Sequence, residues 1–317
     1  MITIEPRSEL ENFLRRNYLA SQTIFIEPIS KGVENRNYRI ETGGPVYVLR
    51  VYSLEHSTTG VRKRTDIEFE LDFMDHARKQ GIPTPRAIED AGGAKVTEIW
   101  IEGKSHYAVL FSFLAGQEAP AYHAENARSM AETLLNLHKA SLIYRYGTVR
   151  RWPGDIVGVG LACYRENREI IGPYRDKLDA IYAQAAEGYR QIQSQPLPFG
   201  IVHGDIKLEN VLFENNRVKA VLDFDDYRES YLLEDLTRTV MHDLDSVEKN
   251  AIRSGQFEQF RKVFSEDKSI SDMEMRQLDT FLKARFLYDI AIYVKNGLNG
   301  LVEDLFADPH VTEVAFA

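Results

Sequence analysis

The chain has 317 residues, 44% of them hydrophobic and 27% charged, which is enough apolar material for a globular protein with two cores and excludes a disordered composition. Its 48 acidic and 39 basic side chains give a net charge of −9, which argues against nucleic acid or an anionic membrane as the main partner and suits a neutral or cationic ligand. Cys163 is the only cysteine, so an internal disulfide and a cysteine-built zinc site are both excluded.

Ser8 to Ala20 carries Leu10, Phe13, Leu14 and Tyr18 near helical spacing, and Ser8 with Glu11 reads as its capping pair. Strand-like runs follow at Thr23–Ile29, Asn37–Thr42 and Val46–Tyr52, the last two joined by a Gly43-Gly44-Pro45 turn. A helix over Asp66–Gln80 stops at Gly81, with Pro83 and Pro85 preventing its continuation. Two further strands are expected at Lys95–Ile101 and His106–Phe113. The longest apolar stretch, Tyr107–Leu114, is too short to cross a bilayer, and Met1-Ile2-Thr3-Ile4-Glu5 does not read as a signal sequence. The expected location is cytoplasmic.

After Gly116 the pattern changes to long amphipathic segments at Ala124–Ser141, Ala162–Gln193, Leu232–Leu244, Val247–Val263 and Asp272–Asn296. This shift predicts an α+β, bilobal chain: a sheet-rich N-terminal lobe over 1–112, a hinge over 113–117, and a mainly helical C-terminal lobe over 118–317. Within the second lobe, Phe199-Gly200-Ile201-Val202, Val211-Leu212-Phe213 and Val218–Leu222 read as short strands, and Glu214-Asn215-Asn216 turns between the last two.

Those strands deliver two acidic motifs into loops: His203-Gly204-Asp205-Ile206-Lys207-Leu208-Glu209-Asn210, and Asp223-Phe224-Asp225-Asp226. An alcohol attacking a nucleoside triphosphate needs an acceptor for its proton and metal ions to neutralise phosphate charge. Asp205 fits the base, while Asn210 and Asp223 fit Mg²⁺ ligands, at the spacing of the kinase template. His203 precedes a tight glycine and suits support of the loop by hydrogen bonding.

His-Gly-Asp-x-x-x-x-Asn followed by Asp-Phe-Asp resembles the aminoglycoside phosphotransferase superfamily, whose members share the protein-kinase-like fold and include homoserine, choline and fructosamine kinases. The likeness runs from about Ile29 to about Leu244. It implies ATP and Mg²⁺ as cofactors, a small-molecule hydroxyl acceptor, and a structural role for Asp235 in bracing the catalytic loop. Lys207 stands where protein kinases carry a lysine that can neutralise the transferring phosphoryl group.

In the first lobe Arg50 takes the position of the usual strand lysine and would contact phosphate oxygens, with Glu70 as its helix partner and Glu68 as the alternative. The loop from Ser30 to Tyr38 resembles the superfamily's nucleotide loop, and its Glu34-Asn35-Arg36-Asn37-Tyr38 wording tilts towards homoserine kinase relatives. That loop has one glycine, so the side chains of Ser30, Asn35 or Asn37 are expected to share the phosphate contacts. Ser112 and Leu114 would offer backbone groups to adenine. Asp243, Asp289, Tyr288 and Tyr293 are the acidic and aromatic candidates for the acceptor pocket.

Only residues 224–234 separate Asp223 from Asp235, which leaves little room for a peptide-binding shelf. A stress-response-type Ser/Thr protein kinase and a nucleotide-binding pseudokinase stay open as alternatives, the second because of Arg50 and the glycine-poor loop. Oligomeric state is open, a homodimer included.

Overall fold

The structure is a computed structural model that describes residues 7–19, 24–29, 35–56, 60–118, 124–145, 154–195, 197–241, 258–267, 271–295, 297, 302–303 and 306. The chain divides into two compact units, Met1–Ala115 with Gly147–Arg150, and Gly116–Tyr146 with Arg151–Ala317.

The first unit is built on an antiparallel sheet. Its strands are β1 (Ile24–Ile29), β2 (Arg36–Thr42), β3 (Val46–Val51), β6 (Ala87–Ile88), β7 (Thr97–Ile101) and β8 (Lys104–Ser112), and a separate hairpin pairs β4 (Glu55–His56) with β5 (Gly60–Val61). The sheet order is β1-β2-β3-β8-β6, with β7 also on β8. The β2–β3 turn at Gly43-Gly44-Pro45 is closed by Thr42 Oγ1 donating to the Pro45 carbonyl at 2.7 Å. Helix α1 (Arg7–Asn17) lays Leu10, Phe13 and Leu14 into a core with Ile24, Ile26, Tyr38, Ile40 and Leu49. Ser8 lies inside α1 and does not precede it, so the expected capping pair is not the start of this helix.

Helix α2 (Arg64–Lys79) buries Ile67, Phe69, Glu70, Leu71, Phe73, Met74 and Ala77. It ends as its sequence requires: Gly81 adopts a φ of +88°, and the Ile82 amide turns back to the Ala77 carbonyl at 3.0 Å.

The second unit is mainly helical. It contains α3 (Ala124–Ile143), α4 (Ile156–Asn167), α5 (Arg175–Gln193), α6 (Leu233–Met241), a helical stretch over 258–267, α7 (Asp272–Arg276) and α8 (Leu278–Lys295). Two short antiparallel pairs complete it, β9 (Phe199–Val202) with β12 (Arg228–Tyr231) and β10 (Val211–Glu214) with β11 (Arg217–Val221). Asn215 and Asn216, at φ of 51° and 61°, make the two-residue turn of the β10–β11 hairpin, a conformation that asparagine tolerates.

The single helix expected over 162–193 is in fact two. Asp155 caps the first by accepting the Val157 and Gly158 amides at 3.0 Å each, so α4 begins six residues earlier than its apolar pattern suggested. The break falls at Gly172-Pro173, where Gly172 has a φ of +73° and two 3-10 turns separate α4 from α5. The far end of the helix expected over Leu232–Leu244 and the first part of the one expected over Val247–Val263 lie outside the described residues. Helix α8 is buried over most of its circumference, Lys283 and Arg285 included, and is packed on α4 and α5, with Gly160 against the Ala284 backbone and Gly188 against Thr280. Among the described residues no helix is long and apolar enough to cross a membrane.

Candidate active site

The second unit gathers the residues of the His203–Asn210 loop around one carboxylate. β9 runs into His203-Gly204-Asp205, and the loop returns through a 3-10 turn at Leu208–Asn210 into β10. Asp205 is buried, with 8% of its surface exposed. Its Oδ2 accepts from Asn210 Nδ2 at 3.0 Å and ion-pairs with Lys207 Nζ at 2.9 Å, and its Oδ1 ion-pairs with Arg238 Nη2 at 2.8 Å. Asn210 Nδ2 also donates to the Asp205 carbonyl at 2.9 Å. The Asn210 amide nitrogen is thus held twice by Asp205.

Asp223 is tied to the same loop through its neighbour, because the Leu222 amide donates to the Asn210 carbonyl at 2.8 Å. Asp223 itself is left-handed, with φ 60° and ψ 65°, and starts the turn Phe224–Asp226. A non-glycine residue held there is uncommon and persists where its surroundings fix it, which is typical of functional loops. His203 joins the two motifs. Its Nε2 donates to the Leu222 carbonyl at 3.0 Å and its Nδ1 accepts the Asp205 amide at 3.3 Å, which selects one tautomer.

Beneath the loop lies Asp235, fully buried on α6. Its Oδ1 accepts the Gly204 amide at 2.8 Å; its Oδ2 accepts the His203 amide at 3.0 Å and His138 Nε2 at 2.9 Å. Burial opposes ionisation of this carboxyl, but the His138 bond, the two imidazoles and the Gly204 amide outweigh it and hold the carboxyl below the usual range. Arg228 supports the other side. It is fully buried, which pushes its guanidinium down to about 10, and it bonds the Asp226 carbonyl at 2.6 Å and pairs with Glu234.

Gly204 is indispensable in this packing. Its φ is +80°, and a Cβ there would collide with the Asp226 carbonyl oxygen and sit 2.5 Å from Arg228 Nη1. Gly204→Ala is expected to destabilise the protein by about 3 kcal/mol, from left-handed strain plus overpacking against backbone. Chemical denaturation checks this; an unchanged midpoint would show that the loop relaxes freely.

In the first unit, Arg50 on β3 faces Glu70 on α2, Nη1 to Oε1 at 3.7 Å, and its Nε donates to Asn37 Oδ1 at 3.2 Å. Tyr52 donates to Glu70 Oε2 at 3.2 Å. Glu68 lies on the outer face of α2, held by Arg64 at 2.8 Å, so helix rotation selects Glu70. Asn35 Oδ1 accepts the Ser53 amide at 3.1 Å. Ser112 exchanges bonds with Arg86, its amide donating at 2.8 Å and its hydroxyl accepting at 2.9 Å, and Leu114 is half-buried beyond it. Ser30 lies outside the described residues.

Of the acceptor candidates, Asp289 accepts from Arg285 Nε at 3.0 Å, and the Tyr288 ring lies 5.4 Å from the Arg285 guanidinium. Tyr293 is half-buried on α8, and Asp243 lies outside the described residues. Arg238, His138 and Arg228 were not singled out from sequence. Arg238 had a signal, since it lies three positions after Asp235 on one helix, which puts both on the same side.

A family model described as the phosphotransferase enzyme family, APH, matches residues 26–269. A homoserine kinase of Zymomonas mobilis is 24% identical over 216 residues, covering 68% of this chain and 64% of its own length. The chain spans less than two thirds of the length of the curated relatives it matches first. Among solved structures, amicoumacin kinase hAmiN in complex with AMP-PNP, Ca²⁺ and Ami aligns with a TM-score of 0.70 at 14% identity, covering 98% of this chain and 93% of that one. A microcompartment-associated aminopropanol kinase aligns at 0.64 and 17%, covering 90% and 93%. These likenesses show the fold, an α+β architecture of the protein-kinase-like class. With most of its length inside the matched region and both active-site motifs present, the chain belongs to the phosphotransferase enzyme family, the aminoglycoside phosphotransferase superfamily.

Proposed function

We propose that this chain is a kinase that moves the γ-phosphoryl group of ATP, with Mg²⁺, to the hydroxyl of a small molecule. The observation that carries the proposal is the joined set Asp205, Asn210 and Lys207, hydrogen-bonded or ion-paired at 2.9–3.0 Å on one loop whose far end is tethered to Leu222, the neighbour of Asp223. Asp205 accepts the proton of the acceptor hydroxyl as the oxygen bonds to the γ-phosphorus and the bond to the β-bridging oxygen breaks, releasing ADP. Lys207 then has a second use: its ammonium, paired with Asp205 at 2.9 Å, can also pair with the transferring phosphoryl group.

Asn210 Oδ1 and the Asp223 carboxylate would hold the metal. Among the described residues no group of three or more His, Cys, Asp or Glu stands ready to hold a cation alone. Asn210 and Asp223 offer oxygen donors, which suits Mg²⁺, an ion that takes one or two protein ligands and completes its shell with phosphate oxygens and water. When bound, the ion would neutralise charge on the phosphates. In the first unit, Arg50, held by Glu70 and Asn37, would contact the triphosphate, while Asn35 and Ser30 would flank it and the Ser112–Leu114 backbone would meet the base. On this reading residues 1–112 supply nucleotide contacts and 118–317 the catalytic loop and acceptor pocket.

A small acceptor is favoured over a polypeptide because the chain after Asp223 is fully occupied. The turn Phe224–Asp226 leads straight into β12, which is bonded along β9, and then into α6. A hydroxylated amino acid or amino alcohol is the leading class, on the Glu34-Asn35-Arg36-Asn37-Tyr38 wording and the homoserine kinase relatives. Coupled ADP release from Mg-ATP with L-homoserine, 1-amino-2-propanol, choline and spectinomycin is the test. At least one of them is expected to raise the rate ~100-fold over water, and phosphorylation of casein with no turnover of any small alcohol would overturn the proposal.

A further inference from the structure

Asp205 is gripped from a direction that the kinase template does not specify. Arg238 reaches its Oδ1 at 2.8 Å from α6, while Arg238 Nε donates to the Gly204 carbonyl at 3.3 Å. One helical turn away, Asp235 accepts the Gly204 amide at 2.8 Å. A single turn of α6 therefore holds Gly204 by both its N–H and its C=O and extends one guanidinium arm to the next residue's carboxylate. We infer that Arg238 is the positioning residue of the base: it fixes the plane of the Asp205 carboxylate so that one oxygen stays directed at the acceptor hydroxyl. The inference rests on the reading of Asp205 as the base.

The two carboxylate oxygens have different partners, Oδ1 an ion pair with Arg238 and Oδ2 a hydrogen bond from Asn210 and an ion pair with Lys207. Two anchors on different oxygens stop rotation about the Cβ–Cγ bond, which one anchor cannot. Lys207 is a poor candidate for the permanent anchor, because its side chain is 22% exposed and its ammonium is a mobile point charge. Arg238 is 16% exposed, and its planar fork bonds the Gly204 carbonyl through Nε while Nη2 ion-pairs with the next residue's carboxylate, a geometry that lysine cannot copy. The charges around this pair come from several elements. Arg285, Tyr288 and Asp289 belong to α8, Arg228 to β12 and Asp235 to α6, and Asp289 is the partner of Arg285, as Glu234 is of Arg228. Arg238 thus contacts Asp205 directly from outside its own loop.

Misplacing a reacting group by about an ångström costs on the order of 100-fold in rate. Arg238→Gln is therefore expected to lower kcat by ~30–100-fold, with KM for ATP and for acceptor changed by less than ~3-fold. Arg238→Lys is expected to recover part of kcat, since it keeps the charge and loses the second contact. The variants are compared with wild type by ADP release from Mg-ATP, with L-homoserine and with water alone as the acceptor, alongside melting temperature. In an Asp205→Asn background, adding Arg238→Gln is expected to leave the residual rate unchanged within ~2-fold, because the group it positions is gone. An unchanged kcat in Arg238→Gln, with Asp205→Asn inactive, would overturn the inference and leave the base assignment standing. Full activity in Asp205→Asn would overturn the base assignment itself. A fall in kcat accompanied by an equal loss of nucleotide binding and a large drop in melting temperature would make Arg238 a structural residue and also overturn the inference.

Discussion

Replacement of Asp205 by alanine is expected to reduce phosphoryl transfer by at least ~1,000-fold while the Kd for Mg-AMP-PNP stays within about fivefold of wild type. The size of the effect follows from how many jobs this carboxylate performs. On the proposed function it takes the hydroxyl proton, and it also orients Asn210, whose Nδ2 donates to Asp205 Oδ2 at 3.0 Å and to its carbonyl at 2.9 Å. Alanine keeps the carbonyl contact but removes the other, and it leaves Arg238 and Lys207 facing a small void without their acceptor. The void and lost ion pairing cost on the order of 1–3 kcal/mol, less than for a fully enclosed pair because both cations retain some access to water. Asparagine is the sharper substitution. It preserves volume and can accept from Arg238, yet it cannot take a proton, so inactivity of Asp205→Asn with an unshifted melting temperature isolates the base from the scaffold. Isothermal titration gives the Kd and coupled ADP release gives the rate; transfer within tenfold of wild type in either variant would remove Asp205 from the chemistry.

What could be read from the chain in advance was whatever depends on near neighbours. The strands on either side of Asp205 and Asp223, the Asn215-Asn216 turn and the Gly81 stop are all local: short apolar runs, a left-handed turn and a helix-ending glycine. The spacing of Asp205, Asn210 and Asp223 is likewise local, because one loop and one hairpin join them. Contacts that close over distance were not legible. Arg228-Glu229-Ser230-Tyr231 has no apolar alternation, yet it is a strand, since β9 supplies its partners and the buried Arg228–Glu234 pair its inner face. The choice of Glu70 over Glu68 depended on the rotation of α2, set by packing of Phe69, Phe73 and Ala77. At Gly172-Pro173 the signal was present, but the amphipathic pattern on both sides outweighed it, and one long helix was expected where two exist. His138 lies 97 positions from the aspartate it bonds, and no spacing rule connects them.

Asp235→Ala is expected to destabilise the protein by on the order of 3–5 kcal/mol, the largest loss of stability at a single side chain around this loop. Three donors converge on that carboxylate, the amides of His203 and Gly204 and the Nε2 of His138, all buried, and removing it leaves each without an acceptor. Asparagine does not rescue the site. Both oxygens of Asp235 accept, so either orientation of the amide turns an N–H against a donor. The same arrangement predicts how stability responds to acid. The Asp235 carboxyl is held below its ordinary range in the folded protein, burial working against ionisation and the His138 bond, the imidazoles and the Gly204 amide prevailing. The unfolded chain therefore takes up this proton first. The contribution is complete above the unfolded carboxyl value of about 3.9 and is lost as pH falls through the lower folded value. Asp75, Asp179 and Glu258 are shifted in the same direction and are common to wild type and variant, so their acid response cancels in the difference. Urea midpoints measured between pH 7 and pH 3 should give a wild-type advantage over Asp235→Asn that is constant down to about pH 4 and shrinks below it. Midpoints that fall in parallel through that range would mean Asp235 holds the catalytic loop without its negative charge, and the account of the brace as an ionised acceptor would have to be abandoned.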